Sequence, residues 1–118
     1  MESERCEIDA ETAERIQEYR KNGGRVAAVG TTSVRVLETA SGPEGDLKPL
    51  RGETQLFIYP GYRFRWVDLL LTNFHLPRTT LLMLVAAFAG RELVLQAYQE
   101  AIRLKYRFYS YGDAMLIV

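Results

Sequence analysis

Apolar positions along this chain change their spacing from block to block, and each change marks an element boundary. Asp9 is placed to cap a helix with Glu11 and Glu14 in its first turns, running to about Lys21 and stopping at the Asn22-Gly23-Gly24 break. "RVAAVG", Arg25 to Gly30, is short, apolar and bounded by glycines, which predicts a buried strand. "TTSVRVLETA" follows with Val34, Leu37 and either Thr39 or Ala40 at helical spacing. Helix, strand, tight turn and helix in that order point to an α/β arrangement with a parallel strand.

"SGPEGDLKPLRGE", Ser41 to Glu53, has no periodicity and reads as a surface loop suited to mobility. A strand is expected over Thr54–Tyr59, ended by the turn pair Pro60-Gly61. "VDLLLTNF" is continuously apolar, the pattern of a strand covered on both faces. "LTNFHLPRTTLLMLVAAFAG" then predicts a turn and a helix of about ten residues, apolar all round and hence buried, broken at Gly90. "ELVLQAYQEAIRLKY" is amphipathic, with Val94, Ala97 or Tyr98, Ala101 and Leu104 inward, and "DAMLIV" forms a last strand. The expected fold is α/β: about four strands, mostly parallel, with four helices, in a single α/β domain or fragment over residues 1–118.

The 118 residues, 47% hydrophobic and 25% charged, are ordinary globular material. A net charge of zero removes any bulk attraction to nucleic acid or membrane, although "YRFRW" and "RLKYRF" gather cations among aromatics. The single cysteine, Cys6, and the single histidine, His75, build neither a disulfide nor a cysteine-based metal cluster. The first residues lack a signal-peptide pattern, and the longest apolar run, Leu81 to Ala89, is too short to span a bilayer. A cytoplasmic protein with no membrane partner is the expectation.

Four segments hold side chains suited to chemistry. In "VGTTSVR" a strand ends in glycine and a helix begins with hydroxyls, so unpaired N–H groups, Thr31, Thr32, Ser33 and the fork of Arg35 can receive an anion. A capping threonine beside a surface arginine explains the same pattern. "IYPGYRFRW" interleaves Tyr59, Tyr62 and Phe64 with Arg63 and Arg65, which suits stacking on a base and contact with phosphate, or equally an edge strand of core aromatics and solvated arginines. "TNFHLPRTT" sets Asn73 and His75 at a strand end, where open α/β sheets place ligands, with Thr79 and Thr80 at the next helix start. A histidine and an asparagine that merely satisfy a tight turn are the plainer alternative. "YRFYSYGDAM" offers its tyrosine hydroxyls (Tyr106, Tyr109 and Tyr111), Ser110 and Asp113 for lining a pocket, or else a core-packing segment with a glycine turn. Glu38, Asp68 and Asp113 have no spacing diagnostic of a paired-carboxylate enzyme.

The runs "GGRVAAVGTTSVRVLE", "FIYPGYRFRWVD", "LLTNFHLPRTTLLMLVAAFAG" and "AYQEAIRLKYRFYSYGDAML", in this order and joined by the weaker "SERCEIDAETAERI", resemble the C-terminal part of one enzyme family. It is the S-adenosylmethionine:tRNA ribosyltransferase-isomerase family of queuosine biosynthesis. The resemblance covers the chain apart from the loop at Ser41–Glu53. Family members are much longer, so the resemblance implies a piece of a larger, barrel-like α/β domain, without the N-terminal part and an inserted β-barrel. It also implies the activity: the ribosyl portion of S-adenosylmethionine, a cosubstrate, is transferred to an aminomethyl-deazaguanine base in tRNA and isomerised. Epoxyqueuosine forms, adenine and methionine leave, and no metal is implied. The partners so implied are S-adenosylmethionine, tRNA carrying that base and the remainder of the enzyme. Carried onto this sequence, Thr31, Thr32, Ser33 and Arg35 serve an anionic group. Tyr59, Tyr62 and Arg63 serve stacking and phosphate contact, and Tyr111 and Asp113 a further wall. Asn73 and His75, with Thr79 and Thr80, serve binding or proton transfer at the reacting centre. Glu2 stands where the family commonly has a histidine. A non-catalytic module that binds RNA or a nucleotide is the alternative.

Overall fold

The computed structural model describes residues 3–75, 79–109 and 112–118. Glu2, Ser110 and Tyr111, each singled out above, lie outside the described residues. The elements run β1 (Glu4–Ile8), α1 (Ala10–Lys21), β2 (Ala27–Val29), α2 (Thr31–Ala40), β3 (Leu50–Thr54), β4 (Leu69–Asn73), α3 (Thr80–Ala89), α4 (Arg91–Arg103) and β5 (Ala114–Ile117). No single helix among the described residues is long and apolar enough to cross a membrane.

Local chemistry accounts for the helix ends. The Asp9 carboxylate accepts from the backbone N–H of Thr12 at 2.7 Å and so caps α1, and hydrogen bonding with Thr12, side chain first and backbone second, holds that carboxyl below its usual range. Thr79 caps α3 by accepting from Leu82 N at 3.2 Å. Gly90, at φ 94°, ends α3 and opens α4, and the two helices bend by 116° there.

The strands form two small sheets, not one mostly parallel sheet. β1 pairs antiparallel with β3, while a second sheet has the order β2-β4-β5, parallel between β2 and β4 and antiparallel between β4 and β5. The α/β class holds, and the parallel expectation holds only for β2 and β4. The reason is the connection. The parallel pair β2–β4 is joined through α2 and β3, while α3 and α4 join β4 to β5, which starts beside the end of β4 and so runs antiparallel to it. No closed barrel forms among the described residues.

The predicted surface loop over residues 41–53 is more structured than expected. Leu47 is buried, Ser41 and Leu47 form a bridge, and the Gln17 amide both donates to Leu47 O and accepts from Leu47 N. The strand expected over residues 54–59 instead ends at Thr54, since β3 finds its partner in β1, far away in sequence. The acidic N-terminal stretch, assigned no element from its pattern, is that partner.

Register sets which side chains face the core. Ala28, Leu70 and Ile117 align across the second sheet on its inner face, and Thr72 pairs with Met115 beside them. Val29, Leu71 and Leu116 align on the opposite face and are 67%, 37% and 63% exposed. A strand covered on both faces was expected for β4, but within this chain one face is bare. Helix α3 is likewise only part-covered: Leu84 and Val85 are buried, while Met83 is exposed. On α4, Val94, Tyr98 and Ala101 are buried as expected, and Leu104 is exposed instead of inward.

Candidate active site

The parallel pair β2–β4 places two of the four segments side by side. Val29 registers with Leu71, and Gly30 N donates to Leu71 O at 2.8 Å, so α2 starts beside the end of β4. Gly30 sits at φ 91°, a left-handed conformation in which a side chain is strained. No side chain caps α2. The N–H groups of Thr31, Thr32 and Ser33 therefore have no acceptor in the helix and form an anion-receptive first turn.

A cleft of about 440 Å³ opens at this junction, lined by Val29–Thr32, Thr72, Asn73, His75, Leu81 and Tyr109. It joins "VGTT", "TNFH" and part of the aromatic run after α4. The Thr31 hydroxyl has no partner among the described residues. Thr32 Oγ1 donates to Glu4 Oε2 at 2.8 Å, and Ser33 Oγ donates back to Val29 O at 3.0 Å, so two of the three hydroxyls are engaged within the chain.

His75 is held from two sides. Its backbone N donates to the Tyr98 hydroxyl at 2.8 Å, and its Nε2 lies 3.0 Å from Thr72 Oγ1. In either tautomer Nδ1 is the ring atom without a partner among the described residues: an acceptor if Nε2 carries the proton, a donor if it does not. Burial pushes the imidazole pKa down, so the ring is neutral at neutral pH. Asn73 Nδ2 donates to Asp113 O at 3.2 Å, tying the end of β4 to the start of β5.

The other predicted residues are placed elsewhere. Arg35 is 1% exposed; its guanidinium donates to Leu56 O at 3.1 Å and Thr54 O at 3.3 Å and pairs with Glu4. Its donors therefore bind α2 to β1, β3 and the segment after β3, inside the chain. Tyr62 donates to Glu38 Oε1 at 3.1 Å; burial first and the Glu38 charge second push its pKa up to about 12. Tyr59 and Arg63 are exposed and line no part of the cleft with His75. Thr79 lies with Pro60 and Met83 in a separate apolar cleft of about 290 Å³, which also brings the Pro-Gly turn against α3; Thr80 follows as the first residue of α3. The Asp113 carboxylate accepts from Arg107 N at 2.6 Å and pairs with the Arg107 guanidinium at 3.6 Å, which lowers its pKa and closes the turn after α4.

Each carboxylate weighed for acid–base work has a structural task. Glu38 is buried and accepts from Tyr62 Oη, Arg65 N, Trp66 N and Val67 N at 2.8–3.2 Å. Asp68 accepts from Val26 N at 2.8 Å and pairs with Arg20 at 3.5 Å, fixing the entry to β2. Sequence reasoning missed Thr72 and Tyr98 as parts of the site and offered Tyr109 only as one of several tyrosines in its aromatic run. Alternation along β4 already aimed Thr72 with Leu70, but Tyr98 and Tyr109 reach the site only through tertiary packing.

The family described as "Queuosine biosynthesis protein" matches residues 1–117. The chain belongs to this family. S-adenosylmethionine:tRNA ribosyltransferase-isomerases from Pelobacter propionicus and Symbiobacterium thermophilum are 62% and 57% identical to it, over 99% and 100% of this chain. The chain spans 34% and 35% of those two relatives' own lengths. The crystal structure of S-adenosylmethionine tRNA ribosyltransferase from Thermotoga maritima superimposes with a TM-score of 0.88 at 54% identity, covering 95% of this chain and 39% of the other. Queuosine-biosynthesis membership thus applies to the whole length described above, the cleft at the β2 and β4 ends included.

Proposed function

We propose that this chain is the part of an S-adenosylmethionine:tRNA ribosyltransferase-isomerase that supplies one wall of its active site. The reaction so assigned transfers the ribosyl portion of S-adenosylmethionine to the aminomethyl-deazaguanine base of a tRNA and isomerises it, with adenine and methionine leaving. The observation that carries this reading is the convergence of the α2 start and the β4 end on one cleft, in a chain of this family. The first turn of α2 and the Thr31 hydroxyl would receive an anionic group, the carboxylate of the methionyl part or a tRNA phosphate. His75 is the proton-transfer candidate, because a neutral imidazole with Nδ1 available can accept a proton from the carbon next to a sulfonium. Thr72 and Tyr98 fix its ring and backbone, and Asn73 holds the β5 side of the cleft. Tyr59, Tyr62, Arg63 and Asp113, outside this cleft, belong in this reading to tRNA contact or to the scaffold. The setting is cytoplasmic, where tRNA and S-adenosylmethionine are both present.

The test uses the full-length enzyme that contains this region. Adenine release from S-adenosylmethionine in the presence of tRNA carrying the modified base is the expected result, and its complete absence overturns the assignment. His75→Ala is expected to lower kcat by about a hundredfold, the usual scale for loss of a general base. An unchanged rate removes His75 from the chemistry while leaving the assignment standing.

A further inference from the structure

We propose that Tyr109 is the stacking platform for a planar heteroaromatic base bound in the cleft at the α2 start. Four aromatic rings near the C-terminal end of α4 pack on one another: Phe74 lies 5.2 Å from Tyr98, 5.8 Å from Tyr106 and 5.5 Å from Phe108, centroid to centroid. Tyr109 is left out of this cluster. Its side chain is 61% exposed, and it lines the cleft with Thr31, Asn73 and His75. Its backbone is at φ 73°, a left-handed conformation that disfavours a tyrosine and that folding alone would sooner give to glycine. The turn imposes it: Tyr109 N donates to Phe74 O at 3.0 Å, and Gly112 N donates to Tyr109 O at 2.9 Å. Gly112 is itself required, since a Cβ there would lie 2.5 Å from both Arg107 O and Phe108 O. An aromatic ring kept exposed, on a strained backbone, in a cleft that also holds Thr31, Asn73 and His75 is a surface shaped for stacking.

This inference rests on the assignment of the cleft to that enzyme's substrates, which offer two such bases: the adenine of S-adenosylmethionine and the purine-like base of the tRNA. In the full-length enzyme, Tyr109→Leu should raise KM about tenfold for the substrate whose base stacks, with Tm unchanged, on the usual scale of one lost base–aromatic contact. A rise confined to S-adenosylmethionine assigns the adenine, and a rise confined to tRNA assigns the tRNA base. Tyr109→Phe should keep wild-type values, because stacking needs the ring and not the hydroxyl. Tyr109→Gly relieves the left-handed strain, so it should hold or raise Tm while losing affinity as the leucine variant does. Unchanged KM for both substrates in Tyr109→Leu overturns the proposal, as does a loss that simply follows a fall in Tm. Equilibrium binding of S-adenosylmethionine and of tRNA to wild type and variant is read in parallel. If the parent releases no adenine yet Tyr109→Leu weakens either binding, the platform stands and the assigned reaction fails. If neither binding changes, the platform fails whatever the activity.

Discussion

Replacing Glu38 by glutamine tests how the segment after the Pro-Gly turn is held. The two carboxylate oxygens divide four donors: Oε1 accepts from Tyr62 Oη and Arg65 N, and Oε2 from Trp66 N and Val67 N. A glutamine amide keeps one acceptor oxygen and turns an NH₂ group toward the other pair of donors. Two hydrogen bonds to a charged acceptor are lost, each contributing about 1.5–3 kcal/mol, and the N–H groups left behind stay buried. The expected loss is about 3–5 kcal/mol, a large share of what a domain of this size has in total. At about 3–5 °C per kcal/mol for such a domain, Tm should fall by about 10–20 °C. Tyr62→Phe removes only the hydroxyl bond to that carboxylate and should cost about 1.5–3 kcal/mol. Thermal unfolding followed by circular dichroism reads both variants. A fall of less than about 3 °C in Glu38→Gln, against the scale of two lost charged bonds, would refute the reasoning.

Three further outcomes are expected. The folded-state pKa of His75 is depressed by burial, so its contribution to stability is present above the ordinary imidazole value of 6.5 and is lost as pH falls toward the folded value. Tm measured against pH should therefore drop more steeply below 6.5 in wild type than in His75→Gln, and parallel curves contradict the burial argument. Arg35→Met removes the buried partner of Glu4 and the donors to Leu56 O and Thr54 O; an unfolding free energy lower by about 3–5 kcal/mol in denaturant titration is expected, and a change under 1 kcal/mol counts against it. The bare face of Val29, Leu71 and Leu116 should make the isolated chain associate as concentration rises, and Leu116→Lys should shift sedimentation toward the monomer. Equal sedimentation of the two proteins would show that this face is not the sticky one.

Helices were the most legible part of the fold, because capping and spacing are local. Asp9 marks the start of α1, Gly90 the break between α3 and α4, and the stripe Val94, Tyr98, Ala101 the buried side of α4. Strand partners were not legible, since pairing is decided by contacts remote in sequence. Nothing near Glu4–Ile8 announces that it will pair with Leu50–Thr54, and nothing near Ala114 says that β5 will run against β4. At the site, the glycine-to-helix junction and the strand-end histidine could be read from local pattern. The use of Arg35 could not. Its burial depends on an acidic residue in β1 and on two carbonyls that the fold alone brings to it. Tyr109 could not be singled out from the other tyrosines of its run for a similar reason: one aromatic in a run is distinguished only by the rings that the others find.

The hydrogen bond from Gly30 to Leu71 ties both halves of the cleft to a strand ladder, and a ladder counts residues in twos. Inserting or deleting one residue between Leu69 and Thr72 would turn Thr72 outward, put a leucine against the imidazole and move the bare apolar face inside. Two residues would restore the facing but carry His75 a full step beyond the α2 start. Length within β4 is therefore far less negotiable than residue identity there. The long connection before β3 tolerates no such comparison with β4, because no cleft residue keeps time with it.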